Sequence, residues 1–303
     1  MGADDAAKRG QEIPVIAVPN VSEGVDVALL AALAGSITRG GSRVLDVHSD
    51  AVHNRSVFTI TGDATSLARS AAELALGCKV IDLREQSGVH PRLGSLDVFP
   101  FVWDGSDPSP AIDLANRAGA AIASSADLPV FLYGAAARRP ETRSLPELRR
   151  GGLLELRRRI AEEGLLPDEG PADVEPSRGV VCVGARGPLI AFNVWLRSDA
   201  RTARRIAARV RSSGGGPPGV RALGWSMGDD RAQVSMNLTS PGKTGIDQAF
   251  EAVATLSREE DVAITACEIV GLPPERYLPD EKREAARLLI KPGRSLESAL
   301  RSN

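Results

Sequence analysis

Cysteine and histidine are both scarce in this chain of 303 residues, with three of each. Cys78, Cys182 and Cys267 stand far apart, within or beside apolar runs. So odd and sparse a set excludes a disulfide framework and reads as reduced core residues of a cytoplasmic protein. None sits on a polar loop, which argues against a catalytic thiol. Net charge is nearly absent too: the formal value is -2 and the pI is near 6.0, leaving no electrostatic case for nucleic acid. No apolar run approaches the ~20 residues that would span a membrane. The stretch from Met1 to Glu12 lacks the apolar core of a signal peptide and reads as a short disordered tail. Ser213-Gly-Gly-Gly-Pro-Pro-Gly219 is not a phosphate loop, because it lacks a Lys-Ser/Thr ending and follows a helical run instead of preceding one.

What is present alternates between strand-like and helix-like runs. A strand over 13–18, a helix over 25–38 ending at Gly40-Gly41, and strands over 43–47 and 56–61 come first. A polar loop, 48–55, lies between the last two. Asp63 can cap a helix whose Leu67, Ala71, Leu74 and Ala75 fall on one face, and Lys79 to Leu83 reads as the closing strand of a βαββαβ unit. A strand over 97–103, a helix over 110–125 and a strand over 129–133 extend it. The second half repeats the scheme: strands over 180–183 and 189–196 around the Gly184–Pro188 turn, then a helix over 199–212 with Ala203, Ile206, Ala207 and Val210 on its apolar face. Strands over 220–227 and 232–238, a helix over 245–257 and a strand over 262–270 complete it. The fold class is α/β (α+β): two βαββαβ sandwich subdomains with mixed sheets and helices on one face, and a ligand cleft between them. The Pro-, Gly- and acid-rich stretch 167–179 sets the expected division into 13–178 and 179–303.

All three histidines, His48, His53 and His90, fall on polar loops in one window, which suggests a single chemical centre. The spacing His48-x-Asp50-x-x-His53 carries a metal reading, a hydrolase using two imidazoles and a carboxylate. The arginines of 201–211 lie opposite an apolar stripe and read as a solvated face.

Five blocks around these residues carry more. Val18-Pro-Asn-Val-Ser-Glu-Gly24, His53-Asn-Arg55, Gly88-Val-His-Pro-Arg-Leu-Gly-Ser-Leu-Asp-Val98, Gly184-Ala-Arg-Gly-Pro-Leu-Ile-Ala-Phe-Asn193 and Gln233-Val-Ser-Met-Asn-Leu238 occur in this order. Together they resemble the formiminotransferase domain of glutamate formiminotransferases over about residues 13 to 290. The resemblance implies transfer of the formimino group of N-formimino-L-glutamate to N5 of tetrahydrofolate, a step of histidine degradation and one-carbon metabolism. Tetrahydrofolate is the acceptor substrate and no metal is needed. The nearest alternative activity is formyl transfer at folate N5.

His90 matches the family's catalytic histidine and is expected to act as general acid and base. A carboxylate should face the cationic amidine, and Asp46, Asp50 and Glu23 are the candidates. Mammalian members have Asp-x-Asp where this chain has Asp46-Val-His48, and threonine where it has His53, so Asp50 is expected to supply the second acid. Arg55 is the expected receptor for the glutamate carboxylates, followed by Arg92 and Arg186. Asn20, Asn54 and Asn193 are expected to hydrogen-bond substrate. The family's folate-binding segment matches Leu165-Leu166-Pro167-Asp168-Glu169-Gly170-Pro171. Further expectations are a cytoplasmic homodimer with small-molecule partners only, and a separate cyclodeaminase to take the product.

Overall fold

Alternating apolar residues must end in sheets with at least one buried face, and the computed structural model of the protein shows how for residues 15–302. The expected tail over 1–12 lies outside the described residues. The chain forms two compact units, one up to Gly187 and one from Pro188.

In the first unit, β1 (Ile16–Ala17) and β2 (Asn20–Val21) behave as one strand broken at Val18-Pro19, since both pair antiparallel with the same two neighbours. Helix α1 (Val27–Arg39) starts at Asp26, whose carboxylate accepts from Leu29 N at 2.9 Å. The hairpin β3 (Arg43–Asp50) and β4 (Arg55–Thr61) follows, then α2 (Ala64–Gly77), capped by Asp63 as expected. The closing strand is β5 (Leu96–Val102), and the order β3-β4-(β1, β2)-β5 is antiparallel throughout. Lys79–Leu83 is therefore not a strand. Cys78–Val80 makes a single 3₁₀ turn, and a 71% exposed Val80 has no sheet face to bury.

An extension completes this unit: α3 (Ser109–Ala126), β6 (Val130–Gly134), α4 (Leu145–Leu148), α5 (Gly152–Glu163) and β7 (Val181–Arg186). Strand β7 inserts between β5 and β6, parallel to both. It is apolar on both faces, as an inner parallel strand must be. The expected hairpin around Gly184–Pro188 does not form, and the division falls after Gly187 instead of at 178/179. Helices α1, α2 and α3 cover one face of the sheet around Leu33, Phe58, Phe101 and Ile122. On the other face, α4 and α5 add Leu148 and Leu156 to Val98, Phe131, Tyr133 and Cys182, so this sheet carries helices on two faces, not one.

The second unit is the same plan without the extension: β8 (Ile190–Arg197), α6 (Ala200–Val210), β9 (Val220–Ser226), β10 (Arg231–Leu238), α7 (Ile246–Glu259) and β11 (Ala263–Val270). Its order, β11-β8-β10-β9, repeats β5-(β1, β2)-β4-β3, the split βαββαβ arrangement. Every pairing in it is antiparallel, so this sheet is not mixed. The apolar stripe of α6, Ala203, Ile206, Ala207 and Val210, is buried against Phe192, Val234 and Phe250. Short helices α8 (Glu284–Arg287) and α9 (Leu296–Arg301) follow.

Because β7 supplies the centre of the β5-β7-β6 layer, a fragment ending at Gly187 should unfold cooperatively in urea. One ending at Arg178 should show no cooperative transition, and equal transitions for the two would refute the revised boundary.

Candidate active site

Two β-bulges build the site. On β3, Val44 pairs with Ile60 and Asp46 with Thr59, so Leu45 is an extra residue. Val44 packs with the core under α1–α3, and two residues later Asp46 would face the same way. The bulge reverses the alternation, so Asp46, His48 and Asp50 share the opposite face with Thr59, Val57 and Arg55. His48 and Asp50 are thus strand residues, not loop residues. Asn20, in register with Val57, joins that face. On β5, Val98 pairs with Asn20 and Leu96 with Val21, which leaves Asp97 as the extra residue.

Asp97 is fully buried and makes three contacts of note. Its Oδ1 accepts from Leu93 N at 2.8 Å. Its Oδ2 accepts from Arg55 Nη1 at 2.5 Å and from Arg149 Nη2. Burial works to raise the pKa of this carboxyl, but Arg149, Arg55 and the Leu93 amide outweigh it and hold it below the usual carboxylate range. Burial lowers the pKa of Arg55, against the pull of Asp97, and Arg55 Nε also donates to Asn20 Oδ1 at 3.0 Å. One carboxylate with two guanidiniums leaves this buried cluster with excess positive charge.

His90 sits at its edge. Its Nδ1 is 2.7 Å from the Pro91 carbonyl oxygen, which can only accept, so Nδ1 carries the hydrogen and Nε2 the lone pair. Burial first, then the Arg55 and Arg149 charges, lower its pKa to about 2, against the opposing effect of Asp97. The ring is therefore a neutral base near pH 7. The His53 ring stands edge-on to it at 6.0 Å. Arg92 holds the loop from the other side, donating from Nη2 to the His53 carbonyl oxygen at 3.3 Å.

The remaining candidates divide by what they already do. Asn54 has a φ of +45° in the β3–β4 turn and accepts from Gly24 N at 2.8 Å, while its amide donates to Gln86. Glu23 Oε1 accepts from Val25 N and Asp26 N at 2.7 and 2.9 Å, ordering the entry to α1. Asp50 Oδ1 accepts from Val52 N and His53 N, both at 2.8 Å, in a turn of the Asx type. Glu23 and Asp50 are thus engaged with backbone, and Asp46 and Asp50 both stand on the face that carries Arg55. His48, Asp50 and His53 do not assemble as ligands, and among the described residues no group of three or more His, Cys, Asp and Glu is arranged to hold a metal.

Arg186 lies on the same face, four residues along β7 from Cys182, or roughly 13 Å at ~3.3 Å per residue. It does not join the cluster; its partners are the Tyr133 hydroxyl and the Gly187 carbonyl. A Cβ on Gly184 would lie 2.5 Å from the Tyr133 ring, which explains the glycine there. Asn193 belongs to the second unit, on β8, and donates to Glu268 across the sheet at 3.1 Å. The segment Leu165–Pro171 runs along the outer edge of β6. Asp168 accepts from Leu132 N at 2.8 Å and pairs with Arg139 at 3.3 Å, and Glu169 bridges with Val130 and pairs with Arg138. Covering a sheet edge is therefore a structural role of that segment.

Reading the sequence missed the clamp. Asp97 lies within the Gly88–Val98 block, so a signal was there. Arg149 comes from 52 residues further on, with nothing in its neighbourhood to mark it.

Fold and site together describe a two-unit α/β enzyme with a neutral histidine beside two buried arginines that share Asp97. Two family models cover it: the N-terminal subdomain of the formiminotransferase domain over residues 14–186, and the formiminotransferase domain over 191–289. The chain is 37% identical over 270 residues to a glutamate formimidoyltransferase of Streptococcus pyogenes serotype M1, covering 87% of this chain and 90% of that one. A glutamate formimidoyltransferase of Thermoplasma acidophilum is 36% identical, covering 87% and 89%. The formimidoyltransferase-cyclodeaminase of Rattus norvegicus is 35% identical, and there the match spans 87% of this chain but 50% of the relative. The chain belongs to the formiminotransferase domain family.

The lowered His90 pKa has a consequence for folding. An imidazole that is neutral when folded and titrates near 6.5 when unfolded leaves stability intact above about 6.5 and removes it as pH falls toward the folded value. Between about pH 7 and pH 5 the wild type should lose up to about 2 kcal/mol more than His90→Gln in urea unfolding. Parallel curves would show that the ring is not depressed.

Proposed function

We propose that this chain is a glutamate formimidoyltransferase, moving the formimino group of N-formimino-L-glutamate to N5 of tetrahydrofolate. The observation that carries this reading is the neutral His90, with its Nε2 lone pair available, next to buried guanidiniums suited to the glutamate carboxylates. Family membership and two stand-alone relatives named for this activity support it.

The chemistry needs one proton moved between two nitrogens. N5 of the folate attacks the amidine carbon, forming the new C–N bond and a tetrahedral adduct, and His90 Nε2 takes the N5 proton. The imidazolium then gives that proton to the glutamate nitrogen as the old C–N bond breaks, which restores the neutral ring. Arg55 positions a donor carboxylate. Binding that anion offsets part of the charge that depresses His90, so the ring holds a proton more readily once the donor is in place. Asp46, on the same face as Arg55, is the acid we assign to the cationic amidine. Asn20 fixes Arg55 through its Nε, and Arg92 fixes the loop between His53 and His90. The family resemblance supports a cytoplasmic homodimer.

The first assay is the purified protein with N-formimino-L-glutamate, with and without tetrahydrofolate, following free glutamate and 5-formiminotetrahydrofolate. Folate-dependent glutamate release is expected; release without folate would overturn the transferase reading in favour of hydrolysis. His90→Ala should lower kcat by about a hundred- to ten-thousandfold, with folate binding within a few fold. Retained turnover would remove His90 from proton transfer.

A further inference from the structure

The two arginines of the clamp on Asp97 are engaged unequally. Arg55 uses Nε on Asn20 and Nη1 on Asp97, so two of its donor groups are engaged by protein. Arg149 has one contact of this kind, Nη2 to the same Asp97 oxygen, and its Nε is buried and meets no acceptor among the described residues. Arg92 Nη1 is buried without an acceptor in the same way. A buried guanidinium N–H left without a partner costs more than most unmade hydrogen bonds, because the group is charged. Two of them around a cluster with excess positive charge suit an anion as their acceptor.

The backbone holds Arg149 firmly in that position. Leu148, its neighbour, is fully buried against the β5-β7-β6 layer, and the Leu148 carbonyl is capped by Arg159. Arg149 N donates to the Leu145 carbonyl at 3.0 Å, ending α4. The side chain is only 17% exposed. A surface arginine free to rotate about its three methylenes would not need this support. Structural need alone does not account for it either, since Asp97 already has Arg55 as counter-ion.

We propose that Arg149 is a donor-binding residue, which with Arg55 and Arg92 forms a guanidinium receptor for a carboxylate of the amino-acid donor beside His90. This rests on the reading of the chain as a glutamate formimidoyltransferase. The groups facing His90 are Arg55, Arg149, Asp97, the Pro91 carbonyl and the His53 ring. Removing Arg149 therefore takes one cation away from the imidazole as well as one arm from the receptor. A purely structural arginine would alter stability and both substrates alike; a receptor arginine separates the donor from the folate.

The test compares wild type, Arg149→Met and Arg149→Lys as full chains, each with its thermal midpoint measured. The Lys variant keeps the charge on Asp97 and secures a folded comparison if the Met variant fails to fold. Steady-state kinetics should show the KM for N-formimino-L-glutamate rising roughly ten- to hundredfold in Arg149→Met and less in Arg149→Lys, with the KM for tetrahydrofolate within about twofold. Titration calorimetry uses N-acetyl-L-glutamate, which carries both carboxylates but cannot transfer, and its affinity should fall by the same factors. An unchanged donor KM and unchanged binding in the folded Lys and Met variants would overturn the proposal. So would equal loss toward both substrates. If wild type shows no turnover, the transferase reading fails by itself, and N-acetyl-L-glutamate binding that depends on Arg149 still decides the receptor.

Discussion

A carboxylate with no exposure to solvent is what the chemistry of this protein depends on. Asp97 is buried where desolvation works to raise its pKa, and it stays ionised because two guanidiniums and an amide meet it. The same bonds reach outward in three directions. Arg55 ties the β3–β4 hairpin and Asn20 to the centre, Arg149 ties in the α4 segment, and the Leu93 amide ties in the loop that carries His90. Removing one partner of such a cluster leaves an uncompensated buried charge, typically worth 3–5 kcal/mol or so. Ion pairs elsewhere, such as Arg158 with Glu155, lie on exposed helix faces and contribute little.

The arrangement also settles which state of His90 is present before substrate arrives. Burial, then the Arg55 and Arg149 charges, keep the ring neutral, and the Pro91 carbonyl places its lone pair on Nε2. With so low a pKa the ring is a weak base, and in the mechanism we propose an anionic donor beside the arginines raises that pKa toward the operating pH. Donor binding and proton transfer are linked in that proposal.

Both units use one split βαββαβ plan, yet the chemistry-bearing residues concentrate on the first. Its sheet has a bulge in β3 and a bulge in β5, and each redirects an acid: Asp46 to the face of Arg55, and Asp97 into the clamp. The inserted β7 widens the same sheet and gives α4 and α5 an apolar surface to pack on. Without that surface Arg149 would have no fixed position. Function here follows from departures from the regular plan, as is common where bulges border a site.

Sequence alone determined the elements whose signals are local. Caps at Asp63, the stripe of α6, the apolar strands of the second unit and the His90 block could all be read directly, because period and capping chemistry act within a few residues. Lys79–Leu83 misled because a short apolar run does not state whether a sheet edge awaits it. Strand β7 was assigned to the wrong unit for the same reason: its partners, β5 and β6, are decided by long-range pairing. The bulge at Leu45 reverses the facing of every later residue in β3, and no residue type announces it. The Asp97 clamp joins positions 42 and 52 residues apart through burial and charge. Those terms exist only once the chain has excluded water around them, so tertiary structure decided that Asp97 and Arg149 join Arg55 and that His90 is neutral.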